Sequence, residues 1–259
     1  MKISNIICFI PFFLTIVSCD SGDKKSVLDD YNVVWQTQSK NSSESMPLVG
    51  GDIGCNVWVE NDEVLVYIQR SGSLSENGEY LKMGRIRLQL SPNPFTGASL
   101  FRQELKLQDG YIEIESGGGN NGNIKLCLWI DVYNPVLHME VESNKSIEVT
   151  ALYENWRTED RELLPLNGNR RERFTCFSLE GYPGKVFRVK DEIDFSREGV
   201  LFYHRNPENK LNPDFFIKQQ GLEEYADQIF DDLKDRTFGG LLSGEGFVPA
   251  GTGEGTYLD

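Results

Sequence analysis

The sequence predicts an all-β protein: a large antiparallel β-sandwich of the supersandwich type, followed by one amphipathic linker helix and a glycine-rich tail. Three observations carry that expectation. Apolar and polar residues alternate at period two from Tyr31 to about Ile217. Gly, Asn, Asp and Pro interrupt the alternation at turn-like intervals, and only one late stretch shows helical spacing. Alternation puts one face of each strand in a core, and many short strands without intervening helices favour a sandwich. With 39% hydrophobic and 25% charged residues in 259, a sizeable core can form. The 26 Lys and Arg against 40 Asp and Glu give a net charge of −14, which argues against nucleic acid as a partner, because phosphate binding needs a basic stripe.

Before the strands lies an export signal. Residues 1–18 hold an apolar run, Ile6 to Val17, too short for a permanent span and interrupted by Pro11. The run ends in Ile16-Val17-Ser18-Cys19, which resembles the lipoprotein box of bacterial lipoproteins. That resemblance implies lipidation of Cys19 and a mature protein tethered through residues 19–30 to a membrane, facing the periplasm or the cell surface. Cys55, Cys127 and Cys176 remain, each among apolar neighbours, and are expected as buried thiols. One disulfide with one free thiol is the alternative. Without a Cys-x-x-Cys pair, and with His138 and His204 as the only histidines, neither a metal site nor a bound cofactor is expected.

The clearest strands are Val57 to Val59, Val64 to Ile68, Arg85 to Leu90, Leu105 to Leu107, Tyr111 to Glu115, Ile124 to Ile130 and Leu137 to Val141. Asn61-Asp62 and Asp109-Gly110 tolerate positive φ and predict two hairpin turns. Met46 to Gly54, with three glycines and a proline, reads as a loop, and Gly117 to Asn123 as a flexible hairpin tip. Residues 31–217 are expected to form the sandwich. In residues 218–259, Leu222, Tyr225, Ala226, Ile229, Phe230 and Leu233 recur at three- and four-residue spacing and predict a helix from Gly221 to Lys234. The glycine-rich tail follows.

Acidic, amide, aromatic and guanidinium groups gather at two places, Glu76-Asn77 and Glu154-Asn155-Trp156-Arg157. Such mixtures bind sugars: a ring stacks on the aromatic while hydroxyls are shared among carboxylate, amide and Arg. Glu76, Asn77, Trp156 and Arg157 are therefore candidate ligand contacts. Asp160, Glu162, Asp191, Glu192 and Asp194 read as solvated loop charges. No Gly-x-Ser-x-Gly is present, and both histidines sit in alternating runs, so a serine or cysteine hydrolase has no support. No catalytic residue is assigned.

Several stretches, among them Tyr31-Asn32-Val33-Val34-Trp35, Ser75-Glu76-Asn77-Gly78, Tyr153-Glu154-Asn155-Trp156-Arg157, Phe202-Tyr203-His204-Arg205-Asn206 and Phe238-Gly239-Gly240-Leu241, resemble the amino-terminal domain of the family called domain of unknown function 5703. More distantly, Pro47-Leu48 with Gly51-Asp52-Ile53-Gly54 is similar to the motif opening the amino-terminal domain of glycoside hydrolase family 95, the α-fucosidases. Here Val49-Gly50-Gly51 replaces that motif's usual asparagine between two glycines. Asp52, which lies in this motif, joins the candidate contacts. The resemblance implies a sandwich, a helical linker and then an (α/α)6 barrel that holds the catalytic acid and base. It therefore implies that this chain is the non-catalytic sandwich portion of a glycan-processing lipoprotein, with a glycan and a helical barrel domain as partners. A stand-alone carbohydrate-binding lipoprotein and a structural fragment without ligand are the alternatives.

Overall fold

The computed structural model of the chain describes residues 26–163, 165–166, 170–171, 182, 184–196, 199–208 and 211–255. The expected signal segment, Cys19 and Cys176 lie outside the described residues. Ten strands come first: β1 (Val33–Trp35), β2 (Met46–Gly50), β3 (Ile53–Glu60), β4 (Glu63–Arg70), β5 (Gly84–Ser91), β6 (Leu100–Lys106), β7 (Tyr111–Gly119), β8 (Gly122–Asp131), β9 (Val136–Ser143) and β10 (Glu148–Glu154). They form two five-stranded antiparallel sheets, ordered β1-β6-β7-β8-β9 and β10-β5-β4-β3-β2.

Period-two patterning decides which side chains lie between the sheets. In β8, Ile124, Leu126, Leu128 and Ile130 are buried while Lys125, Cys127 and Trp129 stay partly exposed. Val57, Val59, Val64, Val66, Ile86 and Leu88 meet this row from the facing sheet. Burying each large aliphatic side chain contributes roughly 1.5–3 kcal/mol, so this one layer supplies most of the drive to fold. The facing sheet also buries part of its outer surface: Trp58, Leu65 and Tyr67 form a second cluster, against which Trp156 packs.

Both expected hairpins are present. Asn61 and Asp62 turn at φ of 52° and 66° between β3 and β4, and Gly110 at 74° closes the turn between β6 and β7. The expected loop from Met46 to Gly54 is instead a hairpin. Met46 and Leu48 point into the core, and that alternation outweighs the glycine content. The glycines permit close packing: a Cβ on Gly50 would stand 2.8 Å from Ile130 Cβ, and Gly51 turns at φ 57°. Likewise β7 and β8 extend through most of the expected flexible tip, leaving only Asn120-Asn121 as the turn.

After Glu154 the strands pair among themselves. Four two-residue strands, β11 (Arg161–Glu162), β12 (Pro165–Leu166), β13 (Arg170–Arg171) and β14 (Phe187–Arg188), make the ladders β11-β14 and β12-β13. Three longer ones, β15 (Glu192–Ser196), β16 (Gly199–Arg205) and β17 (Thr237–Leu242), form a sheet of that order. Phe202 of β16 stacks on Tyr153 of β10 with ring centroids 3.8 Å apart, tying this sheet to the sandwich. Part of the expected glycine-rich tail is therefore strand: Gly239 and Gly240 lie in β17, where a Cβ on Gly239 would fall 2.0 Å from the Phe202 carbonyl oxygen.

The single helix expected from Gly221 to Lys234 is also revised. One α-helical turn, α1 (Phe216–Gln219), ends near Gly221 at φ 67°, and a separate 3-10 segment covers Glu223–Gln228. Three features oppose a continuous helix here. Glu223, Asp227 and Asp231 are like charges four residues apart, Asp is a poor helix former, and Leu222 offers the first turn no side-chain cap. Consequently Leu233 is buried while Tyr225 and Phe230 are exposed, the latter at 84%.

Candidate functional site

Three of the expected ligand contacts converge in the interior. Glu76 and Asn77 lie in the connection between β4 and β5, Arg157 just beyond β10, and all three are buried. They meet Asp191, immediately before β15, and His204 of β16. His204 Nδ1 is 2.9 Å from Asp191 Oδ1, and Nε2 is 3.1 Å from Glu76 Oε2. Arg157 Nε donates to Asp191 Oδ1 at 2.9 Å, while its Nη2 lies 2.6 Å from Asp191 Oδ2 and donates to the Lys82 carbonyl at 2.8 Å. Asn77 Nδ2 donates to the Phe187 carbonyl at 2.6 Å, and the Val189 amide donates to Glu76 Oε1 at 3.2 Å.

The electrostatics follow from this enclosure. Burial drives the His204 pKa down, but the hydrogen bonds and charges of Asp191 and Glu76 outweigh it and hold the imidazole above its ordinary value. Two carboxylate acceptors, one at each ring nitrogen, call for a proton on both. With Arg157 the cluster then holds two cations and two anions. At Glu79 nearby, burial pushes the pKa up against the opposing Arg188 guanidinium. Glu76, Asn77 and Arg157 thus join the sandwich to the segment carrying β15 and β16, away from solvent.

Trp156 borders this cluster, with the Arg157 guanidinium carbon 5.7 Å from its ring centroid, but packs into a different layer. It is half-buried and meets Tyr67 edge-on, with centroids 6.1 Å apart, as part of the layer over Trp58. Asp52 lies elsewhere again, in the β2–β3 turn, where Oδ2 accepts from Arg70 Nε at 2.7 Å. That pair borders an open depression of about 310 Å3, also lined by Val49, Gly54, Gln69, Ser71 and Tyr80. Val49 and Tyr80 are 74% and 68% exposed. The side chains of Gln69, Ser71 and Tyr80 have no hydrogen-bond partner among the described residues. Above Gly54 a Cβ would meet nothing within 4 Å, so the floor is open.

The depression combines an aromatic ring, an aliphatic group, a carboxylate, a guanidinium, an amide and hydroxyls. Similar components were expected at Glu76-Asn77 and at Glu154 to Arg157. Of the residues lining the depression, the sequence reading named Asp52 and did not name Gln69, Arg70 or Tyr80. The one available signal was Arg70 and Ser71 at the end of the strand that pairs with Asp52's hairpin. It also missed Asp191 and His204, which read as a loop charge and an ordinary strand residue.

Among the described residues, no cluster of three or more His, Cys, Asp or Glu has the arrangement to hold a metal ion. Cys55 and Cys127 are free thiols; burial pushes Cys55 up to about 12, and Cys127, only partly buried, is also raised by desolvation. No described helix is long and apolar enough to cross a membrane.

A family model described as domain of unknown function (DUF5703) matches residues 34–259. No curated protein matches the chain.

Proposed function

The chain belongs to the DUF5703 amino-terminal family, and from that premise we propose that it is the non-catalytic, glycan-contacting sandwich of a glycan-processing lipoprotein. The observation that carries this reading is the Asp52 depression. It offers polar groups that match sugar hydroxyls beside an exposed aromatic ring, yet only one carboxylate, and that one is ion-paired. Glycoside hydrolysis usually needs two carboxyl groups roughly 5–10 Å apart across an accessible bond. Away from the depression, the carboxyl groups of Glu76 and Asp191 come together, but they are buried against His204.

The resemblance read in Pro47-Leu48 and Gly51-Asp52-Ile53-Gly54 to glycoside hydrolase family 95 would imply a parent enzyme whose chemistry belongs to a helical barrel. Exposed Tyr225 and Phe230 suit contact with such a domain. Lipidation of Cys19 would hold the assembly at a membrane through the polar residues that follow.

Calorimetry of the chain against a glycan panel tests the binding function. We expect binding without release of reducing sugar, and loss of binding in Tyr80→Ala. Turnover abolished by a single Asp or Glu substitution would refute it. The anchoring is tested by labelling with a palmitate analogue, which we expect Cys19→Ala to abolish.

A further inference from the structure

Granting that the Asp52 depression contacts glycans, its chemistry also selects among them. We propose that it takes a neutral pyranose and rejects sugars bearing carboxylate or sulfate.

Charge is the first reason. Arg70 is the only cation among the lining residues, and Asp52 neutralises it at 2.7 Å. An anionic sugar would have to displace Asp52 from Arg70, leaving that carboxylate uncompensated, or sit beside the intact pair with no further cation among the lining residues to meet it. It would also approach a protein of net charge −14. Salt weakens that long-range term beyond about 8–10 Å, but the contact with Asp52 itself remains.

The hydrogen-bonding groups are the second reason. Asp52 Oδ1 is an acceptor without a partner among the described residues, while the Gln69 amide and the Ser71 and Tyr80 hydroxyls can both donate and accept. A neutral diol, which is donor and acceptor at each oxygen, satisfies such a mixed set. A carboxylate or sulfate group only accepts, so where it replaces a hydroxyl facing Asp52 Oδ1 it offers that oxygen no donor.

Shape is the third. The volume of about 310 Å3 is at the lower end for small-ligand sites and suits one or two rings. Tyr80 and Val49 stand exposed at its edges, ready to cover the apolar face of a ring. The floor is Gly54, whose missing side chain leaves the space open.

Gly54 also supplies a clean test. A Cβ there meets no protein atom within 4 Å and the residue lies in β3 outside the left-handed region, so Gly54→Val should fold normally while narrowing the depression. The experiment titrates the full chain and Gly54→Val with matched pairs: galacto-oligosaccharides against oligogalacturonides, and neutral against sulfated galacto-oligosaccharides. We expect at least one neutral member to bind about tenfold more tightly than its anionic counterpart, and Gly54→Val to lose that binding at unchanged Tm. An anionic member bound equally or more tightly, and lost in Gly54→Val, would overturn neutral selection while leaving a glycan site in place. Wild-type chain that binds no member, or binding untouched by Gly54→Val, would remove the site and the inference together.

Discussion

At the scale of single residues, His204 shows how a charge far from any surface can organise the molecule. Its folded pKa is raised. The stability it contributes is therefore fully present below the ordinary imidazole value near 6.5, and is lost as pH rises through the folded value. Urea midpoints measured from pH 6 upward should fall across that window in wild type, and His204→Gln should flatten this component. His204→Ala leaves Glu76 and Asp191 buried without their shared cation and should cost about 3–5 kcal/mol, the range for breaking a buried ion pair. An unchanged midpoint would mean that the cluster is not closed in solution. Little of it was legible beforehand. Glu76 and His204 are 128 residues apart, and Asp191 is chemically indistinguishable, in sequence, from the solvated acids around it. Alternation marked His204 as a strand residue but could not say that its side faced inward onto carboxylates.

Among elements, the hairpins were legible and the late helix was not, for one physical reason. Asn61-Asp62 and Asp109-Gly110 set backbone geometry locally, whatever surrounds them. The residues from Leu222 to Leu233 required tertiary packing to become a helix, since short helices draw little stability from propensity alone. Their acids repel and the packing covers only part of the stripe. Strand β17 reverses the lesson: Gly239 and Gly240 suggested a flexible tail, yet their missing side chains allow β17 to lie against Phe202. Gly239→Val should push the strands apart, costing about 1–3 kcal/mol by overpacking. Amide exchange should then accelerate at Phe238 to Leu242 while β3 and β4 stay protected. If β17 amides exchange as slowly in the variant as in wild type, the close approach is not structural.

For the whole molecule, the inner faces of two sheets carry the stability, and the open depression at one end of the second sheet carries the proposed function. Period two made the sandwich readable because a half-buried strand has only one pattern available to it. The depression was readable only at Asp52. Val49, Gln69, Arg70 and Tyr80 come together through the pairing of β2, β3 and β4 and the connection beyond, which no local pattern encodes. Leu128→Ala, in the centre of the core, should lower unfolding free energy by about 2–5 kcal/mol without altering ligand contacts.

The most direct measurement is a two-dimensional NMR titration of the isotope-labelled chain with neutral oligosaccharides, with the sugar's anomeric signals followed in the same tube. The expected result is saturable shifts confined to Val49–Gly54, Gln69–Ser71 and Tyr80 with the sugar intact. Shifts centred elsewhere, none at any concentration, or new reducing-end signals would contradict a non-catalytic glycan-contacting sandwich.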